Sequence, residues 1–442
     1  MAILTEAEAK RYMEKVLSFS KADECAVNLS GYKSGNIRYA RNTLTTSGAQ
    51  SGISLVIQSS FGKRMGTFTT NELTDAALEQ AVRRSEELAK LAPENPEYVK
   101  NLGRQSYLSS KTHFESTANI TAEYRATVAA AGIAPCKQNG NLTAAGFFQN
   151  TESFQAMANT SGAFAYQLST AVEFNLTVRS KDGTGSGYVY RDVNDIDKFD
   201  AVSASQIAID KALQSREPKA IEPGKYTVIL EPSALVSDEG LLNQMIANMD
   251  ARQADEGRSF LSGKGGKTKL GQKLFDERVT IYSDPQHPDV PAQTWSPDGR
   301  PQEKVIWIEN GVVKNLYYSR YWAEKKNVKA VPFPANFIMQ GSNASLEDLI
   351  KDTKRGILVT RLWYIREVDP QTLLYTGLTR DGTFYIENGK IKYPIKNLRF
   401  NESPVIMLNN LEALGKPMRM LGNLVPPIKV RDFTFTSLSD AV

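Results

Sequence analysis

Two segments of the chain, VIWIENGVVKNLYY and TFYIENGKIKYPI, set Asn310-Gly311 and Asn388-Gly389 between residues that alternate apolar and polar. Alternation of period two puts one face of a strand on a core, and Asn-Gly suits the tight two-residue turn that folds such a strand back on itself. Both segments therefore predict antiparallel hairpins, and they commit the second half of the chain to β structure. Their common IENG needs no internal repeat, because hairpin chemistry alone selects it.

That half opens on YTVILEP, a short apolar strand. A helical stretch follows in which Leu241, Leu242, Met245, Ile246 and Met249 form one stripe that packs on a sheet. The first half mixes both periods. MAILTEAEAKRYMEKVLSFS has the spacing of a surface helix and lacks the basic end and apolar block of a signal peptide. Four short runs, ECAVNLSGYK, NIRYARNTLTTS, GISLVIQSS and RMGTFTT, predict an antiparallel meander. NELTDAALEQAVRRSEELAKLAP predicts a helix with Leu73, Ala77, Ala81 and Leu88 on one face and Pro93 beyond its end.

Residues 99–117 read as a polar crossing loop. A helix near TAEYRATVAAAGIA, strands around TAAGFFQNT, ESFQAMANT, FAYQLSTAVEFNLTVRS and GSGYVYRDV, and a helix over DAVSASQIAIDKALQS complete the half. REPKAIEPGK then turns to Pro, Lys and Glu and marks a boundary near residues 216–222. The expected fold class is α+β in two domains: 1–220, mixed with antiparallel sheets, and 221–442, β-rich with few helices.

Composition excludes several function classes. The 442 residues are 41% hydrophobic and 23% charged, and no run approaches the length that spans a bilayer, roughly 20 apolar residues. A net charge of +4, scattered rather than gathered into a stripe with aromatics, gives nucleic-acid binding no footprint. Two cysteines, Cys25 and Cys136, are too few for a disulfide framework, which points to a reducing cytoplasm.

Local motifs fall short of chemistry. GKGGKTK ends like a phosphate-binding loop at Gly266-Lys267-Thr268, but Leu261 stands where the motif needs its first glycine. In EGRSFLSG, the same Leu261 replaces the second glycine of a nucleophile elbow around Ser259. A serine nucleophile also needs a base, and the only histidines are His113 and His287. His287 lies near Asp284 and Asp289, a turn that reads as solvated carboxylates rather than a cation site. No cofactor is expected, and no His and Cys cluster offers a metal ligand set.

Longer segments carry a resemblance. GKYTVILEPSALV, DARQADEGRSFLSGKGGKTKLGQKLFDERVTIYSDP, TRLWYIREVDPQTLLYTGLTRDGTFYIENGKI and LRFNESP closely resemble the C-terminal half of the TldD/PmbA family. The first half, with TVRSKDGTGSGYVYRD, resembles its N-terminal domain. The resemblance implies a cytoplasmic bacterial or archaeal protein of a group once labelled modulators of DNA gyrase and better described as metallopeptidases and their paired subunits. Catalytic members carry His-Glu-x-x-x-His on the helix after the first C-terminal strand, with a later cysteine completing the metal site and the glutamate as base on the metal-bound water.

This chain has SALVSDEGLLNQM at that point, no histidine between His113 and His287, and no cysteine after Cys136. It is therefore similar to the non-catalytic TldE/PmbA type, which implies a TldD-like catalytic partner and an unfolded or extended peptide as substrate. No catalytic residue carries over. Two other readings compete: a metal-independent hydrolase using Asp238 or Glu239, and a homodimeric peptide-binding or scaffold protein. TRLWYIREVDPQTLLYTGLTRDG, with Arg361, Tyr364, Arg366, Tyr375 and Thr376, reads first as a half-buried sheet whose arginines pair with local carboxylates; as a peptide groove, it would set Arg361 and Tyr364 facing Arg258.

Overall fold

The computed structural model describes residues 2–237 and 239–439. Its first half is one antiparallel sheet of six strands: β1 (Glu24–Ala40), β2 (Thr43–Phe61), β3 (Arg64–Thr70), β4 (Leu142–Asn159), β5 (Phe164–Ser180) and β6 (Ser186–Val193), in the order β3-β2-β1-β4-β5-β6. Four helices cover it, α1 (Glu6–Phe19), α2 (Asp75–Leu91), α4 (Ala122–Asn139) and α5 (Ala201–Gln214), with the single turn α3 (Glu115–Ala118) ahead of α4. Even-numbered residues of β4 reach both helical cores: Ala144 and Phe148 pack under α4 and α5, Phe154 and Ala156 under α1 and α2. All four helices thus lie on one face. Each long helix has a side-chain cap; in α1, Thr5 and Glu8 cap reciprocally, a device that contributes about 1 kcal/mol.

The four short runs expected at the start fold as three strands, two of them very long. The chain reverses at Arg41 and Asn42, both left-handed (φ 52 and 59), and passes straight through Gly35, Gly48 and Gly52. Gly35 serves close approach rather than a turn, since a Cβ there would sit 2.2 Å from Nη1 of Arg125. On α2 the buried face is Leu78, Ala81, Val82, Ser85, Glu86 and Ala89, while Leu88 is exposed. The expected stripe was displaced around the helix because Ser85 bonds Ser59 across the interface at 2.6 Å and fixes the rotation.

The second half holds two further sheets built from β7 (Lys225–Leu230), β8 (Ile281–Ser283), β9 (Val305–Glu309), β10 (Val312–Val313), β11 (Ile338–Met339), β12 (Arg355–Val359), β13 (Leu362–Asp369), β14 (Leu374–Thr379), β15 (Thr383–Glu387), β16 (Lys390–Pro394), β17 (Asn397–Glu402), β18 (Leu411–Leu414), β19 (Met418–Met420), β20 (Asn423–Val425) and β21 (Ile428–Ser439). The larger runs β13-β14-β17-β21-β7-β12-β15-β16, with β18 against β21; the smaller runs β10-β9-β8-β11-β20-β19. Both Asn-Gly pairs form the predicted hairpin turns, β9–β10 and β15–β16, with φ of 49 and 78 at the first and 50 and 73 at the second. β7 and β12 run parallel at the centre of the larger sheet.

Residues 93–112 strap the first half to the second. Tyr107 Oη donates to Gly299 O at 2.9 Å, Ser110 Oγ to Pro285 O at 2.6 Å, and Glu97 pairs with Arg252 at 2.9 Å. Met157, on the helix-free face of β4, meets Trp295 in a small core of its own.

Candidate functional site

β7 ends at Leu230, and the helical stretch predicted after it is two helices, α6 (Pro232–Leu235) and α7 (Leu241–Ala247). The stripe Leu241, Leu242, Met245, Ile246 and Met249 is buried in the main core, as its spacing predicts. The interruption comes from Gly240, the N-cap of α7, where a Cβ would lie 2.5 Å from Ser237 N. Glu239 therefore precedes the helix instead of lying on it, and its carboxylate pairs with Arg366 of β13. The Arg366 guanidinium rests 4.6 Å from the Tyr364 ring centroid. Asp238 lies outside the described residues.

Among the described residues, no group of three or more His, Cys, Asp or Glu side chains is placed to hold a metal ion. His113 Nε2 sits 3.2 Å from Glu152 Oε1, and His287 Nδ1 accepts from Asp289 N at 3.3 Å, closing a turn in which Asp284 accepts from Gln286 N. The donor set does not fit a metal of the kind the resemblance implies. Ser259 is buried; its Oγ donates to Asn248 O at 3.2 Å and accepts from Leu261 N. The GKGG segment folds on itself, with Gly263 N donating to Lys267 O at 2.6 Å and Lys269 N to Leu261 O at 2.7 Å. Cys25 and Cys136 are free and buried, and burial pushes both thiols up, Cys136 to about 11, away from nucleophilic character.

β13, which carries Tyr364 and begins one residue after Arg361, is the outer strand of the larger sheet. A bulge between Trp363 and Arg366 turns Tyr364 left-handed (φ 54), and Trp363, Tyr364 and Val368 are all exposed. Arg258 is exposed and pairs with Glu256; its loop is tied to the β13–β14 turn, where Gln371 Nε2 donates to Gly257 O at 3.3 Å. Arg361 lies apart, between the two halves: its guanidinium bonds buried Asp381 at 2.7 Å and stacks 3.8 Å over the Tyr188 ring of β6. Asp381 also accepts from Ser186 Oγ at 2.6 Å. Tyr375 is buried, its hydroxyl pushed up to about 12 by desolvation, and Thr376 Oγ1 donates to Phe400 O at 3.0 Å.

Sequence reasoning missed the seam between the halves, where a cleft of about 590 Å³ opens. β6 and α5 form one wall, β19, α6 and the start of the helix Leu346–Lys351 the other. At its base Lys211 and Glu231, both largely buried, pair at 2.7 Å. The segment GSGYVYRDV held the available signal: it sets charged Arg191 and Asp192 side by side on a predicted strand.

The fold is α+β, one six-stranded antiparallel sheet under helices joined to two further, mostly antiparallel sheets. The crystal structure of TldE from Thermococcus kodakarensis superposes with a TM-score of 0.88 at 18% identity, covering 96% of this chain and 100% of that one, a likeness of fold alone. The chain belongs to the PmbA/TldD metallopeptidase family: residues 25–89 match domain 1, 71–216 the central domain and 223–437 the C-terminal domain of the PmbA/TldA metallopeptidase models. A metalloprotease of Methanothermobacter thermautotrophicus is 22% identical over 298 residues, 62% of this chain and 62% of its own length. A zinc metalloprotease TldD homologue of Saccharolobus solfataricus is 26% identical over 300 residues, 62% and 61% of the two chains. The chain thus spans about three fifths of the curated relatives it first matches. No described helix is long and apolar enough to cross a membrane.

Proposed function

We propose that this chain is a non-catalytic, TldE-type subunit that supports a TldD-type metallopeptidase acting on unfolded or extended peptides. One observation carries the reading: where catalytic relatives would carry His-Glu-x-x-x-His, this chain has a broken helix whose face is core, and Glu239, in the break, is paired with Arg366. Family membership supplies the rest of the context. The outer strand β13 supports a role in holding an extended backbone by strand addition, with Tyr364 exposed beside it and Arg258 on the neighbouring loop. Arg361 serves that edge from beneath, anchoring the start of β13 to Asp381 and Tyr188. The two free thiols suit a reducing cytoplasm.

Reconstitution tests this. The chain alone should leave an unfolded peptide intact, and adding a partner that bears His-Glu-x-x-x-His should give chelator-sensitive cleavage exceeding that of the partner alone. Chelator-resistant cleavage by the isolated chain would replace the proposal with the hydrolase reading. A stable homodimer indifferent to the partner would replace it with the scaffold reading.

A further inference from the structure

The cleft of about 590 Å³ between the halves opens beyond Leu230, at the carboxyl end of β7 where it runs parallel to β12. A concave cleft with apolar lining and a few polar groups is the usual form of a small-ligand site. Arg191 of β6 lines this crevice. Its Nη1 donates to Tyr190 O at 2.8 Å, and no carboxylate among the described residues lies within ion-pair distance of it.

The two carboxylates whose field reaches Arg191 are already engaged. Glu231 is bonded by Lys211 at 2.7 Å, and Asp192 by Arg419 at 2.8 Å. Burial lowers the pKa of Arg191, yet a guanidinium that starts near 12.5 remains charged at neutral pH. Arg191 is thus stabilised by the field of two carboxylates but hydrogen-bonded by neither, and a half-buried guanidinium with five donors gains from an acceptor that enters the cleft. The opposite wall sets apolar Met418, Met420 and Pro232 beside Lys416 and Glu347. Asp210 and Glu347 line the cleft opposite in charge to Lys416, so the lining is of mixed charge and suits a monoanion with an apolar neighbour better than a dianion such as a phosphate monoester.

We propose that this cleft binds the C-terminal carboxylate of a peptide, Arg191 holding the carboxylate and the terminal apolar side chain lying against Met418 and Met420. The inference rests on the peptide reading above for its ligand class. Arginine pairs a carboxylate through two parallel N–H donors, a geometry that an amide cannot reproduce. Tyr188, which lines the same cleft and stacks under Arg361, connects the pocket to the root of β13.

Fluorescence anisotropy on the full chain tests it, using a labelled hexapeptide ending in leucine as the free acid and as the amide. The acid should bind at least about tenfold more tightly, as expected when a charge-assisted bidentate pair is lost. Arg191→Gln should abolish that difference with little change in melting temperature, because no carboxylate is hydrogen-bonded by this guanidinium. Met418→Glu, at an exposed position on the facing wall, should also abolish binding of the acid.

Equal binding of acid and amide, no binding of either, or displacement by inorganic phosphate without an acid preference would each overturn the proposal. So would folded Arg191→Gln that binds like the native chain. If that variant does not fold, Met418→Glu decides, and an unchanged acid preference overturns the assignment. Acid preference without support of a partner's proteolysis sinks only the subunit reading; support without acid preference sinks only the cleft.

Discussion

Replacing Asp192 with alanine should cost about 3–5 kcal/mol, because this buried carboxylate joins the edges of two sheets and breaking one side of such a pair strands the other. Its Oδ2 accepts from Arg419 Nε at 2.8 Å and from Gly422 N at 2.9 Å, and its Oδ1 from Leu421 N at 2.8 Å. Leu421 and Gly422 are both left-handed (φ 48 and 71), so the carboxylate also fixes the β19–β20 turn. Arg419 keeps Asn194 Oδ1 and Asp289 O as acceptors, each at 2.7 Å, which moves the expectation to the lower end, about 3 kcal/mol. With an unfolding entropy of about 2.1 cal/mol/K per residue over 442 residues, that is a fall of roughly 3 °C in Tm if the halves unfold together. Calorimetry reads the shift, and native-state proteolysis reads release of one half from the other. Asp192→Asn, which keeps one acceptor oxygen, should fall between. A loss below about 1 kcal/mol for the alanine variant would refute the reasoning, since it would mean solvent replaces all three bonds without penalty.

Three further outcomes are expected. Trypsin should first cut the native chain after Lys264 or Lys267, at the exposed tip of the glycine-rich loop, and spare Lys269, whose Nζ donates to Phe260 O at 2.7 Å; early cutting at Lys269 or full resistance would contradict this. The hydrogen bond from Arg278 holds the Asp276 carboxyl down to about 2, below its ordinary value of about 3.9. A depressed carboxylate contributes stability above its unfolded value that is lost as pH falls through the folded one, so Tm should drop more steeply between about pH 4 and 2 in the native chain than in Asp276→Asn; parallel curves would exclude the linkage. Elemental analysis of the desalted chain should find zinc and iron well below one ion per chain, and a full equivalent would mean that a donor set forms beyond the described arrangement.

Legibility in the sequence followed the range of the interactions. The hairpins at Asn310-Gly311 and Asn388-Gly389 and the α7 stripe depend on neighbours within a few residues, and both were readable. The length of β1 and β2 was not, because glycines inside them read as breaks until the packing of Arg125 against Gly35 is seen. The rotation of α2 likewise depends on Ser59, 26 residues away. Arg361 and Tyr364 are close in sequence yet point to different tasks, one into the seam with Asp381 and Tyr188, the other to the exposed edge. The seam itself is built from pairs such as Asp192 and Arg419, 227 residues apart, which no local pattern announces.

The same packing explains why this helix and a metal motif exclude one another. In His-Glu-x-x-x-His the two histidines stand five residues apart, so a helix that carries both must run at least six residues without a break. α6, with four residues, cannot contain that spacing, and α7 contains it only at 241 with 246 or 242 with 247. Either choice spends Leu241 or Leu242, both fully buried in the main core, where exchange of a leucine for a smaller or polar group costs about 2–5 kcal/mol. A cation placed ahead of α7 would also meet the Arg366 guanidinium already seated on Glu239, and like charges a few ångströms apart repel. The chain has therefore given the helix to its core and the neighbouring carboxylate to β13. The two places proposed above for a peptide, the edge of β13 and the Arg191 cleft, are built without a metal held by this chain.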